Sequence, residues 1–100
     1  MKEIERSNGR IRYECQGQDK GTPLLLLHGL GADHEMWHPQ IAHYPQEGFR
    51  LIVPDLRGFG RSAGCAAPGA ISIEAWVEDL LAILEAEEIS CYALAGTSMG

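Results

Sequence analysis

Ser98 is the residue of this chain best suited to covalent chemistry. It stands at the centre of Gly96-Thr97-Ser98-Met99-Gly100, a G-x-S-x-G string that directly follows the apolar run of residues 91–95. A serine oxygen is useful as a nucleophile when a sharp strand-to-helix turn holds it out at the top of a sheet. Flanking glycines let neighbouring backbone pass close without Cβ clashes, and the small Ala93 and Ala95 suit the same crowding. Attack on a carbonyl creates a tetrahedral oxyanion, which needs backbone N–H donors aimed at it. The expected donors are Met99, immediately after the serine, and Leu30, in the turn His28-Gly29-Leu30-Gly31 that ends another apolar run. Both reach one oxygen only if residues 24–27 lie beside residues 91–95 in a sheet.

Other patterns offer different chemistry. His34-Glu35-Met36-Trp37-His38 fits H-E-x-x-H, in which two histidines one helical turn apart hold zinc and the glutamate is the base. Pro39 follows at once and pushes His38 away from helical geometry. His43 falls one residue short of the third-ligand spacing of the longer motif, whose glycine is also missing. Exposed histidines at a helix start are therefore expected, with a zinc hydrolase using His34, Glu35 and His38 as an alternative. Gly29-Leu30-Gly31 begins a dinucleotide-binding G-x-G-x-x-G, but His34 occupies the third glycine position and would obstruct close helix–strand packing. Gly58-Phe59-Gly60-Arg61-Ser62-Ala63 fits G-x-G-x-x-A but opens into another loop. No cofactor and no metal are expected.

The elements that must position these groups follow from hydrophobic patterning. Ile4 and Ile11-Arg12-Tyr13-Glu14-Cys15 alternate around Asn8-Gly9, the pattern of a half-exposed hairpin with an Asn-Gly turn. Leu24-Leu25-Leu26-Leu27 is unbroken, as in a parallel strand covered on both faces. A helix-compatible stretch spans residues 36–44, and residues 49–53 form a second apolar run. The clearest helix starts after Ser72, a good N-cap, with Glu74 in its first turn. Ile73, Trp76, Val77, Leu80, Leu81 and Leu84 form its apolar stripe, with Glu74, Glu78 and Glu85 opposite. Glu85, Glu87 and Glu88 crowd the negative end of its dipole, a misfit that nothing in the sequence explains. The order predicts an α/β fold, an N-terminal hairpin plus a mostly parallel sheet with right-handed crossovers. His28-Gly29, Asp55 with its glycine loop, and Ser98 then share the C-terminal rim, where open α/β sheets bind ligands.

Composition narrows the partners. The eight basic residues are scattered among 14 acidic ones for a net charge of −6, which argues against a nucleic-acid or anionic-membrane surface. No apolar run approaches a bilayer span, and the charged Met1 to Arg6 does not read as a signal peptide. Three cysteines (Cys15, Cys65 and Cys91) at irregular spacing read as free thiols, so a cytoplasmic location is expected.

Taken in order, Leu27-His28-Gly29-Leu30-Gly31, Met36-Trp37 with Pro39-Gln40, Asp55-Leu56-Arg57-Gly58-Phe59-Gly60-Arg61-Ser62 and Gly96-Thr97-Ser98-Met99-Gly100 resemble the α/β-hydrolase superfamily over nearly the whole chain. The chain looks most like its small cofactor-free branch, with β-ketoadipate enol-lactone hydrolase, carboxylesterases and C–C bond hydrolases. The resemblance implies Ser98 as nucleophile, Leu30 and Met99 as oxyanion donors, and His28 and Gly29 as supports of the oxyanion loop. It casts Asp55 and Arg57 as structural ties. A serine in place of an aspartate nucleophile disfavours epoxide hydrolase and dehalogenase chemistry. In this family the catalytic acid and histidine follow the elbow. Residues 1–100 are thus expected to be the N-terminal portion of a single α/β-hydrolase domain, inactive alone. The complete protein would cleave a small-molecule ester, thioester or lactone through an acyl-Ser98 intermediate. A non-catalytic binding or interaction chain is the alternative from another class.

Overall fold

The computed structural model describes residues 1–6, 9–65 and 71–98, with backbone alone at 63–65. Among the described residues, five strands form one sheet in the order β1-β2-β4-β3-β5. β1 (Lys2–Arg6) and β2 (Gly9–Gln16) are the expected antiparallel hairpin, Ile4 opposite Ile11 and Arg6 opposite Gly9; Asn8 lies outside the described residues. β2 joins the rest antiparallel to β4 (Phe49–Pro54), with Tyr13 opposite Pro54. β3 (Thr22–Leu27) runs parallel to β4 on one side and to β5 (Ala93–Gly96) on the other. The required adjacency is present, Leu24 facing Ala93 and Leu27 facing Gly96.

The leucine run is covered on both faces, because successive side chains of a strand point to opposite sides. Leu25 and Leu27 join Ile11, Tyr13 and Ile52 in a core beneath helix α2 (Ile73–Ala86). Leu24 and Leu26 pack with Leu51, Val53, Trp37 and Ile41 on the other face, under helix α1 (His38–His43). The segment expected as one helix over 36–44 is instead broken: a 3-10 helix at His34–Trp37, then α1, then a 3-10 helix at Tyr44–Glu47. Pro39 and Pro45 stand in the first turns of α1 and of the second 3-10 helix, where their missing N–H groups cost nothing.

α2 begins as expected, the Ser72 hydroxyl accepting the Ala75 N–H at 3.0 Å. Its buried face differs from the expected stripe. Ile83, Leu84 and Asp79 are buried and Trp76 and Leu80 pack against the core, whereas Ile73, Val77 and Leu81 are exposed. The helix is turned toward Asp79. That carboxylate takes two hydrogen bonds from the buried Arg57, at 2.7 and 2.8 Å, and one from Arg6 at 3.0 Å. A buried charge needs such partners, and a polarity pattern cannot show them.

The acidic end of α2 also has a tertiary explanation. The Glu87 side chain is buried against the sheet. It accepts hydrogen bonds from Tyr13 Oη at 2.5 Å, Arg50 at 2.6 Å and Lys2 Nζ at 3.1 Å. Burial pushes the Glu87 carboxyl up, but the hydrogen bonds from Tyr13 and Lys2 and the nearby positive charges outweigh it, so its pKa lies below the ordinary 4.5. The helix closes with Ile89 N–H on Leu84 O at 2.8 Å and Glu88 N–H on Glu85 O at 3.1 Å. That is a Schellman arrangement, with Glu88 in the left-handed region at φ +58° where glycine is usual.

Candidate active site

Ser98 stands two residues beyond the end of β5, exposed, at φ +58°. A non-glycine residue in the left-handed region is strained, and such strain clusters at functional positions. The turn is tied to its neighbour by Thr97 N–H donating to Leu27 O at 3.3 Å. The β3–β5 register therefore brings His28 and Gly29 alongside Thr97 and Ser98. A Cβ on Gly29 would stand 3.1 Å from Ser98 Cβ and 3.2 Å from Thr97 O, so a side chain there would press on the serine. Leu30 follows on the outside of the turn, 72% exposed. Met99 lies outside the described residues.

His28 is fully buried and both ring nitrogens are engaged. Leu56 N–H donates to Nε2 at 2.9 Å, which leaves Nδ1 as the protonated nitrogen, 2.8 Å from Gly29 O. The ring meets Phe59 edge-on at 5.7 Å. A histidine with its acceptor nitrogen used by backbone is an anchor for the β3 turn and is poorly placed to take a proton from Ser98.

Asp55 is the hub of the rim. It is fully buried just beyond β4. Oδ1 accepts the His34 backbone N–H at 2.7 Å and lies 2.8 Å from His34 Nδ1, and Oδ2 accepts the Arg61 N–H at 2.8 Å. A Cβ at Gly60 would meet the Asp55 carboxylate at 2.6 Å, so this glycine serves close packing in the loop. Gly58-Phe59-Gly60 curls back on itself through Gly58 N–H to Ser62 O and leads into a 3-10 helix at Gly60–Cys65. It offers no helix N-terminus of the dinucleotide-binding kind.

The H-E-x-x-H geometry does not form. Pro39 does not push His38 out of helical geometry as expected, since His38 is helical at φ −51° and ψ −45° with Pro39 in the first turn of α1. The break falls at Trp37, between the 3-10 helix that His34 opens and α1, so the two histidines do not share one turn of a continuous helix. His34 is also not the exposed residue expected: its side chain is 13% exposed and bound to Asp55. Among the described residues, Asp33, His34 and Asp55 bring ligand-type atoms within 4.8 Å of one another, without Glu35 or His38. Asp33 there caps the 3-10 helix through Glu35 N–H at 2.9 Å. Neither the Asp33 cap nor the His34–Asp55 pair was evident in the sequence; an aspartate just before a short helix is the signal for the first.

Two surface hollows of about 250 and 370 Å³ lie at the opposite end of the parallel strands, one against Gln18, Gly21 and Gly48, the other against Lys2, Arg50 and Glu87. Neither reaches Ser98. Cys15 and Cys91 are free thiols. No helix among the described residues is long and apolar enough to cross a membrane.

Residues 22–100 match the family model of the alpha/beta hydrolase fold. The chain belongs to the α/β-hydrolase family. Among curated α/β-hydrolase relatives it is 31% identical to the (E)-2-((N-methylformamido)methylene)succinate hydrolase of Acinetobacter baylyi, over 99% of this chain and 36% of that protein. It is 30% identical to an epoxide hydrolase of Caballeronia sordidicola, over 100% of this chain and 30% of that protein. The solved structure of an esterase from Exiguobacterium antarcticum superposes with a TM-score of 0.86 at 29% identity, over 98% of this chain and 35% of that one. This α/β-hydrolase chain thus spans about a third of the length of these relatives, whose names describe hydrolases.

Proposed function

We propose that these residues are the N-terminal portion of a single α/β-hydrolase domain whose complete form is a serine hydrolase of small-molecule esters, thioesters or lactones. The observation that carries the reading is Ser98 held at φ +58° two residues beyond the end of β5, beside the Gly29 turn of β3. Its oxygen attacks the substrate carbonyl carbon, and the N–H groups of Leu30 and Met99 receive the oxyanion. Collapse expels the alcohol, thiol or enolate and leaves acyl-Ser98, which water then cleaves.

The proton of Ser98 must go to a base. His28 is excluded by its two backbone hydrogen bonds, and His34 is engaged with Asp55. The acid and the histidine are therefore assigned to the part of the full-length protein beyond these residues, in the chain order Ser, Asp or Glu, His. Serine also argues against epoxide opening, although a relative carries that name. A serine oxygen adding to an epoxide carbon forms an ether, which water does not readily cleave, whereas addition to a carbonyl forms a hydrolysable ester.

A serine-directed phosphonate should label the full-length protein at Ser98, and ester turnover should disappear with Ser98→Ala. Labelling that persists in Ser98→Ala would refute the assignment. The isolated 100 residues should show no turnover.

A further inference from the structure

We infer that His34 is a positioning residue for the oxyanion donor at Leu30, acting through the buried Asp55 carboxylate; this rests on the acyl-Ser98 reading. The loop that carries Leu30 leaves β3 at His28 and ends at His34. At its near end the His28 ring holds Gly29 O. At its far end the His34 backbone N–H and Nδ1 both converge on Asp55 Oδ1, at 2.7 and 2.8 Å. Asp55 is itself a fixed point: it follows the central strand β4, its N–H donates to Arg12 O at 2.9 Å, and its other oxygen holds Arg61 N–H. Gly60 presses from outside, since a Cβ there would also come within 2.9 Å of Asp33 Cβ.

Between the two clamps Leu30 gains little from burial, because the residue is 72% exposed. Ala32 N–H on Gly29 O, at 3.1 Å, closes a turn within it. The direction of the Leu30 N–H is thus set by the ends of the loop. An oxyanion donor works only when aimed at the position the charge will occupy, so slack at His34 should harm the transition state more than the bound substrate.

The test uses the full-length protein with a p-nitrophenyl ester. Misplacement of a catalytic group by about 1 Å can cost about 10²-fold in rate, so His34→Ala should lower kcat by about that factor with KM within about twofold. A trifluoromethyl ketone, which forms a tetrahedral adduct on the serine, should lose affinity in parallel. His34→Asn, whose amide can replace Nδ1–H, should recover most of kcat, and His34→Gln, whose amide reaches the Nε2 position, should not. If His34→Ala does not fold, the comparison of Asn with Gln decides. Unchanged kcat in His34→Ala, a loss confined to KM, or an Asn variant no better than Gln would overturn the inference. Phosphonate labelling of the wild type separates the two levels: an unlabelled Ser98 refutes the acyl-serine reading, whereas a labelled Ser98 with unaffected His34 variants refutes only the role of His34.

Discussion

Gly29 and Ser98 follow β3 and β5, strands separated in sequence by α1, β4 and α2, yet a single Cβ on Gly29 would stand 3.1 Å from the serine Cβ. The parallel β3–β5 register produces this approach and leaves little room for a side chain at position 29. Gly29→Ala adds a methyl group wedged between Ser98 Cβ and Thr97 O, and overpacking of this kind costs about 1–3 kcal/mol. The expected result in the full-length protein is slower phosphonate labelling of Ser98, by tenfold or more, with a melting temperature lowered by a few degrees. An unchanged labelling rate would show that the turn gives way without disturbing the serine.

The Glu87 cluster should make stability depend on pH at both extremes. The Glu87 pKa is lowered by folding, so its contribution is complete above the ordinary value of 4.5 and is lost as pH falls through the lower folded value. The Tyr13 pKa is raised, by burial first and then by the hydrogen bond to Glu87, so its contribution is present below the ordinary value of 10.0 and declines as pH rises above it. Glu87→Ala removes the carboxylate shared by Arg50, Lys2 and Tyr13; breaking a buried ion pair from one side costs about 3–5 kcal/mol. Urea unfolding at pH 7 and at pH 3.5 should show a smaller stability difference between wild type and Glu87→Ala at the acid pH.

Glu88 occupies the left-handed position of a Schellman closure at φ +58°. Glycine carries no Cβ penalty there, and the penalty for an L-residue is about 1–2 kcal/mol. Glu88→Gly also removes a negative charge from the negative end of the α2 dipole. The variant should be more stable than wild type by about 1 kcal/mol in urea unfolding, net of the extra chain entropy of glycine, without altering the labelling of Ser98. A destabilised Glu88→Gly would mean that the carboxylate has a tertiary partner worth more than the strain.

Much of the fold was legible because the signals were local. The unbroken Leu24-Leu25-Leu26-Leu27 marks a strand covered twice, Ser72 marks a helix start, and the glycines around Ser98 mark a tight turn after a strand. The adjacency of β3 and β5 could be anticipated as well, because two donors must reach one oxygen. The face of α2 was misjudged. Ile73, Val77 and Leu81 are apolar but exposed, while Asp79 is buried, since its energy comes from Arg57 and Arg6 on other elements.

The same distinction governs the site. The amino-acid sequence by itself determined which residue is the nucleophile candidate and which turns are the candidates for the donors, because a serine between glycines after a short apolar strand is constrained by backbone sterics within a few residues. Only the tertiary structure decided how His28, His34 and Glu87 are used. Each could be an acid, a base, a ligand or a surface charge until its partners are in place. Those partners, Leu56, Asp55 and the Tyr13–Arg50–Lys2 group, lie 21 to 85 positions away in the chain. Hydrogen bonds and buried charges take their meaning from such distant groups, and no local pattern encodes them.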